Sequence, residues 1–336
     1  MLPDATRCDQ AVTMNRRRPS LLITRQMLEP AHARACADYD VELATEPKPL
    51  PASLLLSRAA SCDALLIGST ERLDAETVKK LVRRTRIVAT HSVGLEHIDL
   101  EAARAAGLVV TNTPDVLTDA TAELAVLLVL AACRRSGEGE RILRRGQWRA
   151  ISKDGLLGQG LSGKRVGILG LGRVGRAIAI RLAPFGVRLH YHSRKEVGPA
   201  RELGAIYHAT PLELFRSSDI LVVTAASTPE TRNIVDRIAL AALPVGAYLI
   251  NIARGELVDE EAVFAALERG HLSGAGMDVF VNEPEINPRW LEFENVALLP
   301  HIGSATVETR IAMGMRALDN LDAYFRGERP RDQVAP

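Results

Sequence analysis

The 336-residue chain is longer than one hydrophobic core usually serves, so two domains are expected, and 47% hydrophobic with 25% charged residues excludes disordered and fibrous classes. Its 42 basic and 41 acidic side chains leave a net charge of +1, which excludes an overall field drawing it to nucleic acid or an anionic membrane. The longest uncharged apolar run, residues 124–133, is far short of the ~20 residues that span a bilayer, so no membrane partner is expected.

Residues 1–19 carry Arg16, Arg17 and Arg18 before Pro19 and no apolar stretch of the secretory type, and they read as a disordered leader rather than an organelle-targeting segment. Cys8, Cys36, Cys62 and Cys133 are scattered, without metal-type pairs or a disulfide framework, so a reducing cytoplasmic setting and no bound metal are expected. Short aliphatic or β-branched runs then alternate with helical periodicity, which is the pattern of βαβ units. The first set of strands is predicted at 21–24, 41–44, 64–68, 86–90 and 109–112. The second falls at 165–169, 188–192, 220–224, 248–252, 276–279 and 296–299. Two separate parallel sheets follow, an α/β architecture. Between the sets lie an apolar helix over 118–135, an arginine-rich arm ending in Gly146-Gln147-Trp148, and a glycine-rich loop over 155–163. The second domain is entered near Pro114. A last helix is expected over 306–325, with an apolar face able to return to the first domain.

The strand at 165–169 runs into Gly170-Leu171-Gly172-Arg173-Val174-Gly175 and then into a helical pattern, which is the dinucleotide fingerprint in its required context. Gly170 permits the tight turn, Gly172 lets backbone approach a pyrophosphate, and Gly175 lets the helix lie close to the strand. An NAD binder carries an acid about 20 residues on. Here that place belongs to His192, followed by Ser193, Arg194 and Lys195. With no carboxylate to repel a 2′-phosphate, the segment favours NADP(H), with NAD(H) possible. The alternative is a solvated basic turn that tolerates either cofactor.

Past the later strands stand three polar groups on the edge where ligands bind: Asn251-Ile252-Ala253-Arg254-Gly255, Asp278 through Glu283-Pro284, and Pro300-His301-Ile302-Gly303-Ser304. With these segments, with Ser92-Val93-Gly94-Leu95-Glu96-His97-Ile98-Asp99 and with Asn112-Thr113-Pro114, the chain resembles the D-2-hydroxyacid dehydrogenases, most closely their glyoxylate/hydroxypyruvate reductase branch. The resemblance implies two doubly wound parallel-sheet domains, a Rossmann cofactor domain over 115–304 inserted into a flavodoxin-like substrate domain over 20–114 and 305–336. It also implies a homodimer through the helix and arm over 118–150.

By that resemblance Arg254 binds the carboxylate and carbonyl of a small 2-oxoacid, His301 donates the proton in reduction, and Glu283 pairs with His301. A planar guanidinium suits the two-pronged grip, and a carboxylate neighbour favours the imidazolium that the acid step needs. The amides of Val93 and Gly94, with Ser92, would complete the carboxylate site. Cofactor contacts are implied for Thr118, for Gly170 to Gly175, for Ser193, Arg194 and Lys195, and for Ala225, Ala226 and Thr231. They are implied too for Ile252, Ala253, Arg254, Asp278, His301 and Gly303. The competing readings are a satisfied core histidine at 301, a turn-capping carboxylate at Asp278, a helix cap at Thr118, and a packing or subunit-contact role for Trp148. Leu95 and Trp290 are expected around the pocket for the acid's side chain. Thr224-Ala225-Ala226-Ser227 departs from the family's usual residues, which puts the contacts at Ala226 in doubt, and Val93 replaces the lysine of phosphite dehydrogenases. The expected reaction is NADPH-dependent reduction of glyoxylate or hydroxypyruvate. A reductase of 2-ketogluconate or another larger oxoacid and a corepressor-like, nucleotide-sensing binding protein are the alternatives.

Overall fold

The aliphatic runs form strands because their β-branched side chains fit a pleated surface buried on both faces, as parallel sheets require. The computed structural model describes residues 17–46, 48–149, 156–198 and 203–336, so most of the leader lies outside the described residues. The chain divides into two compact units. One takes the described residues up to His91, with His97–Thr111 and Ala317–Pro336, and the other takes Ser92–Glu96 and Asn112–Arg316.

In the first unit β1 (Ser20–Ile23), β2 (Asp40–Leu43), β3 (Ala64–Ile67), β4 (Ile87–Thr90), β5 (Val109–Thr111) and a final β13 (Gln333–Ala335) make one sheet. Its order, β13-β5-β4-β3-β1-β2, places β1 at the chain reversal, as in flavodoxin-like folds. The sheet is not wholly parallel as the sequence suggested: β13 pairs antiparallel with β5. A three-residue strand behind Pro330, Arg331 and Asp332 offers no periodicity to read, and only the waiting edge of β5 makes it one. Helices α1 (Ala31–Asp38), α2 (Ala52–Ala59), α3 (Ala75–Leu81) and α4 (Leu100–Ala106) link the strands. Asp74 and Asp99 cap α3 and α4 by accepting from Thr77 N and Ala102 N, each at 2.8 Å.

In the second unit β6 (Arg165–Leu169), β7 (Arg188–His192), β8 (Ile206–Tyr207), β9 (Ile220–Val223), β10 (Ala247–Asn251), β11 (Leu272–Met277) and β12 (Val296–Leu298) are all parallel, in the order β12-β11-β10-β9-β6-β7-β8. That is the Rossmann order, with its switch point between β6 and β9. Helices α5 (Thr118–Cys133), α6 (Ser136–Arg144), α7 (Arg173–Leu182), α8 (Pro211–Arg216), α9 (Arg237–Ala242) and α10 (Glu260–Glu268) accompany it, and α11 (Val307–Phe325) runs from this unit into the first. Alternate strand residues feed two cores, one on each face. Leu221, Val223 and Leu249 join Phe264 and Trp290, while Ile220, Val222 and Ile250 join Leu128, Val129 and Ile178.

Three sequence expectations need correction here. The helix expected over 118–135 is α5, ending at Cys133, but the arm beyond it is helical too, α6 starting after Arg135, whose φ of 52° parts the two. The strand expected at 276–279 begins four residues earlier and ends two earlier, and β8 was not anticipated. Among the described residues no helix is long and apolar enough to cross a membrane.

Candidate active site

The glycine loop, the segment after β7, the Arg254 turn, Asp278 to Glu283 and His301 follow strands of the second unit's sheet at its carboxyl edge, while Ser92 to Gly94 follow β4 and Thr118 follows β5. After β6, Gly170 has a φ of 103°, open only to glycine, and a Cβ there would run into the backbone of Ala225. Gly175 sits directly on the carbonyl of Gly170, so α7 approaches the strand as closely as backbone allows. Thr224 closes the turn, its hydroxyl donating to the carbonyls of Leu169 and Gly170. The cap residue of α7 is Gly172, with no side chain satisfying the first amides, and a Cβ on Gly172 would meet nothing within 4 Å. Uncapped amides beside open space are what a dinucleotide's pyrophosphate requires, so these residues fit the group.

Beyond β7 the Ser193 hydroxyl oxygen accepts from Leu171 N at 2.8 Å, which leaves its hydrogen free to donate. Arg194 and Lys195 are exposed and form no ion pair among the described residues. His192 donates through Nδ1 to the carbonyl of His208 at 2.9 Å. On the next loop Thr231 donates to the carbonyl of Ala226 at 2.8 Å, bracing the segment after β9.

At the end of β10 the fully buried Asn251 folds the chain back on itself. Its Nδ2 donates to the Arg254 carbonyl at 2.8 Å and its Oδ1 accepts from Ala253 N at 3.1 Å. Gly255 then packs against the backbone of Phe280, where any Cβ would collide. Phe280 N donates to Glu283 Oε1 at 2.8 Å, and Glu283 Oε2 accepts from His301 Nδ1 at 2.5 Å. One carboxylate thus ties the turn after β11 to the imidazole after β12 and fixes the tautomer, leaving Nε2 outside that bond. His301 itself has a φ of 52°, a left-handed backbone that aims the ring away from the run of the strand.

Asp278 is buried, and its two oxygens accept from Ile302 N and Gly303 N, each at 2.8 Å. Burial pushes its carboxyl above the usual range, opposed by those amides and by His301. The turn-holding reading of Asp278 is therefore seen directly. Thr118 is the first residue of α5, but the cap place belongs to Leu117 and no side chain caps the helix. Trp290 is fully buried, edge-on to Phe264 at 4.8 Å, with its indole N–H donating to Glu260 at 3.0 Å. Trp148 is 68% exposed.

Ser92, Val93 and Gly94 form a tight loop: the Ser92 hydroxyl donates to the Gly94 carbonyl at 2.7 Å, and Asn112 Nδ2 donates to the Val93 carbonyl at 2.9 Å. A Cβ on Gly94 would strike the Arg254 guanidinium and the Glu96 carboxylate. Arg254 donates through Nη1 to its neighbour's carbonyl, Ala253 O, at 2.6 Å, and through Nε to Glu96. Sequence reasoning gave no role to Glu96, which pairs with Arg254, or to Asn251, which folds the turn that bears Arg254, although both stand inside motifs it used.

The sequence model of the D-isomer-specific 2-hydroxyacid dehydrogenase NAD-binding domain matches residues 126–303. The glyoxylate reductase of Pyrococcus horikoshii is 41% identical over 319 residues, covering 93% of this chain and 95% of that one. The chain belongs to the D-isomer-specific 2-hydroxyacid dehydrogenase family. As a member it is an NAD(P)-dependent oxidoreductase, and the matched NAD-binding region contains the glycine loop. The glycerate dehydrogenase of Hyphomicrobium methylovorum is 39% identical, covering 91% of this dehydrogenase chain and 96% of its own. A crystal structure of the NADPH-dependent glyoxylate/hydroxypyruvate reductase of Sinorhizobium meliloti, in complex with NADP and malonate, has a TM-score of 0.84 and 36% identity, with 95% of this chain and 97% of that one covered.

Proposed function

We propose that this enzyme reduces small 2-oxoacids, glyoxylate and hydroxypyruvate, to D-2-hydroxyacids, with NADPH preferred over NADH. The observation that carries the reading is the imidazole of His301, pinned at Nδ1 by Glu283 on the same sheet edge as the Arg254 turn. When bound, the nicotinamide supplies the hydride that C2 of the oxoacid accepts. Arg254 grips the carboxylate and carbonyl through its Nη edge and stabilises negative charge growing on the carbonyl oxygen. His301 holds the proton on Nε2 and delivers it to that oxygen, while Glu283 keeps the ring oriented. The amides of Val93 and Gly94 add hydrogen bonds to the carboxylate, and Asp278 keeps the loop that bears His301 in register.

The NADPH preference is supported by the Ser193 hydroxyl and by Arg194 and Lys195, exposed and without an ion pair among the described residues, beside a strand end that has no acid. The names of the Pyrococcus and Sinorhizobium relatives favour the same substrates and cofactor. Purified enzyme assayed with NADPH and NADH against glyoxylate, hydroxypyruvate, 2-ketogluconate and pyruvate tests the reading. Turnover of the first two, faster with NADPH, is expected. No oxidation of either cofactor by any of the acids would end it, and a higher kcat/KM with NADH would remove the role given to Ser193 and Arg194.

A further inference from the structure

We infer that Glu96 is a positioning and charge-selecting residue, which holds Arg254 by its Nε so that the site accepts a 2-oxoacid with one carboxylate and rejects one with two. The inference rests on the substrate reading above and names which members of that class are taken. Arg254 has five N–H groups. Glu96 takes the one on Nε and the Ala253 carbonyl takes one on Nη1, so the guanidinium plane is fixed from two sides and three donors, two on Nη2 and one on Nη1, are left for a ligand. Gly94 leaves the room that Nη2 occupies, since any side chain there would strike both partners of the pair.

The pairing also changes the charge that a substrate meets. Arg254 with Glu96 sums to zero, and so does protonated His301 with Glu283, while Asp278 accepts from the amides that follow His301. Directional hydrogen bonds to the three remaining Arg254 donors suffice to seat one carboxylate. A second carboxylate on the same small molecule finds both cations of this group already paired and meets the like charges of Glu96 and Glu283, which is unfavourable in a partly desolvated site. Discrimination by repulsion, built beside the attractive contact, is a common way to narrow a substrate range.

The test is the ratio of kcat/KM for oxaloacetate to that for glyoxylate, with NADPH, in the wild type, Glu96→Gln and Glu96→Asp. Glutamine keeps the outline of the side chain and removes its charge, so the ratio is expected to rise at least tenfold. Aspartate keeps the charge, and its ratio should stay within about twofold of wild type even where kcat falls through a looser hold on Arg254. A purely structural role would lower both substrates by one factor in Glu96→Gln and leave the ratio unmoved, and that result overturns the inference. Equilibrium binding of oxamate and of tartronate to the NADPH-loaded protein reads the same selectivity without turnover. There Glu96→Gln should tighten the dianion tartronate at least tenfold relative to the monoanion oxamate, and equal changes again overturn it. A wild type that turns over no 2-oxoacid defeats the proposed function, while this binding comparison still decides the role of Glu96.

Discussion

At the residue scale, two side chains act only because something else holds them. His301 keeps Nε2 for the proposed proton delivery because Glu283 occupies Nδ1, and Arg254 keeps its Nη edge for the proposed grip because Glu96 and Ala253 hold Nε and one Nη1 hydrogen. Removing the proton donor while keeping the bulk, as in His301→Gln, should lower kcat for glyoxylate by roughly 10²–10⁴-fold, the usual worth of a positioned general acid, with little change in KM. A steady-state comparison that found kcat intact would take the acid role from His301. On the cofactor side, a charge-assisted bond to a 2′-phosphate contributes about 1.5–3 kcal/mol. Arg194→Ala is therefore expected to raise the KM for NADPH about ten- to a hundredfold and leave that for NADH unchanged, and an equal rise for both would mean that Arg194 contacts something other than the phosphate.

At the scale of elements, β11 teaches why the sequence misled. Gly274 and Gly276 weaken the local strand signal, so the strand was expected to start only at 276. Yet a Cβ on Gly276 would strike Leu128 on α5 and Ile250 on β10, and one on Gly274 would strike the Asn295 carbonyl. The glycines are there because neighbours pack against the strand at backbone distance, which no local pattern reveals. The edge formed by β7 and β8 holds a different device. His190 Nδ1 and His208 Nε2 share one hydrogen bond at 2.9 Å, with the rings stacked at 5.2 Å. Burial pushes both imidazoles below their ordinary range. For His190 the neighbouring His208 adds to this, and for His208 the nearby Glu213 opposes it. The folded state thus refuses protons that the unfolded chain accepts near pH ~6.5, so stability is complete above that pH and declines as the pH falls below it. Thermal unfolding followed from pH 7.5 to 5.5 should show this decline in the wild type and a shallower one in His208→Asn. Parallel slopes would show that the pair does not carry it.

At the scale of the whole molecule, both tryptophans, Trp148 and Trp290, fall in the second unit, and only Trp290 is buried. Tryptophan fluorescence therefore reports the unit that carries the glycine loop. NADPH at a hundredfold its Kd should stabilise that transition in urea by about 2.7 kcal/mol, as mass action requires of a ligand bound only by the folded state. An unmoved midpoint would mean that this unit does not bind the dinucleotide.

By itself the sequence determined the two parallel α/β sheets, the glycine loop that fits a dinucleotide, and the candidate trio of Arg254, Glu283 and His301. Each rests on local information: the period of apolar residues, the spacing of three glycines, and polar groups placed just past a strand. The antiparallel β13, the true register of β11, the burial of Trp290 and the pairing of Glu96 with Arg254 were decided only by tertiary structure. The last joins residues 158 positions apart, and what a charge does depends on which charge the fold sets beside it.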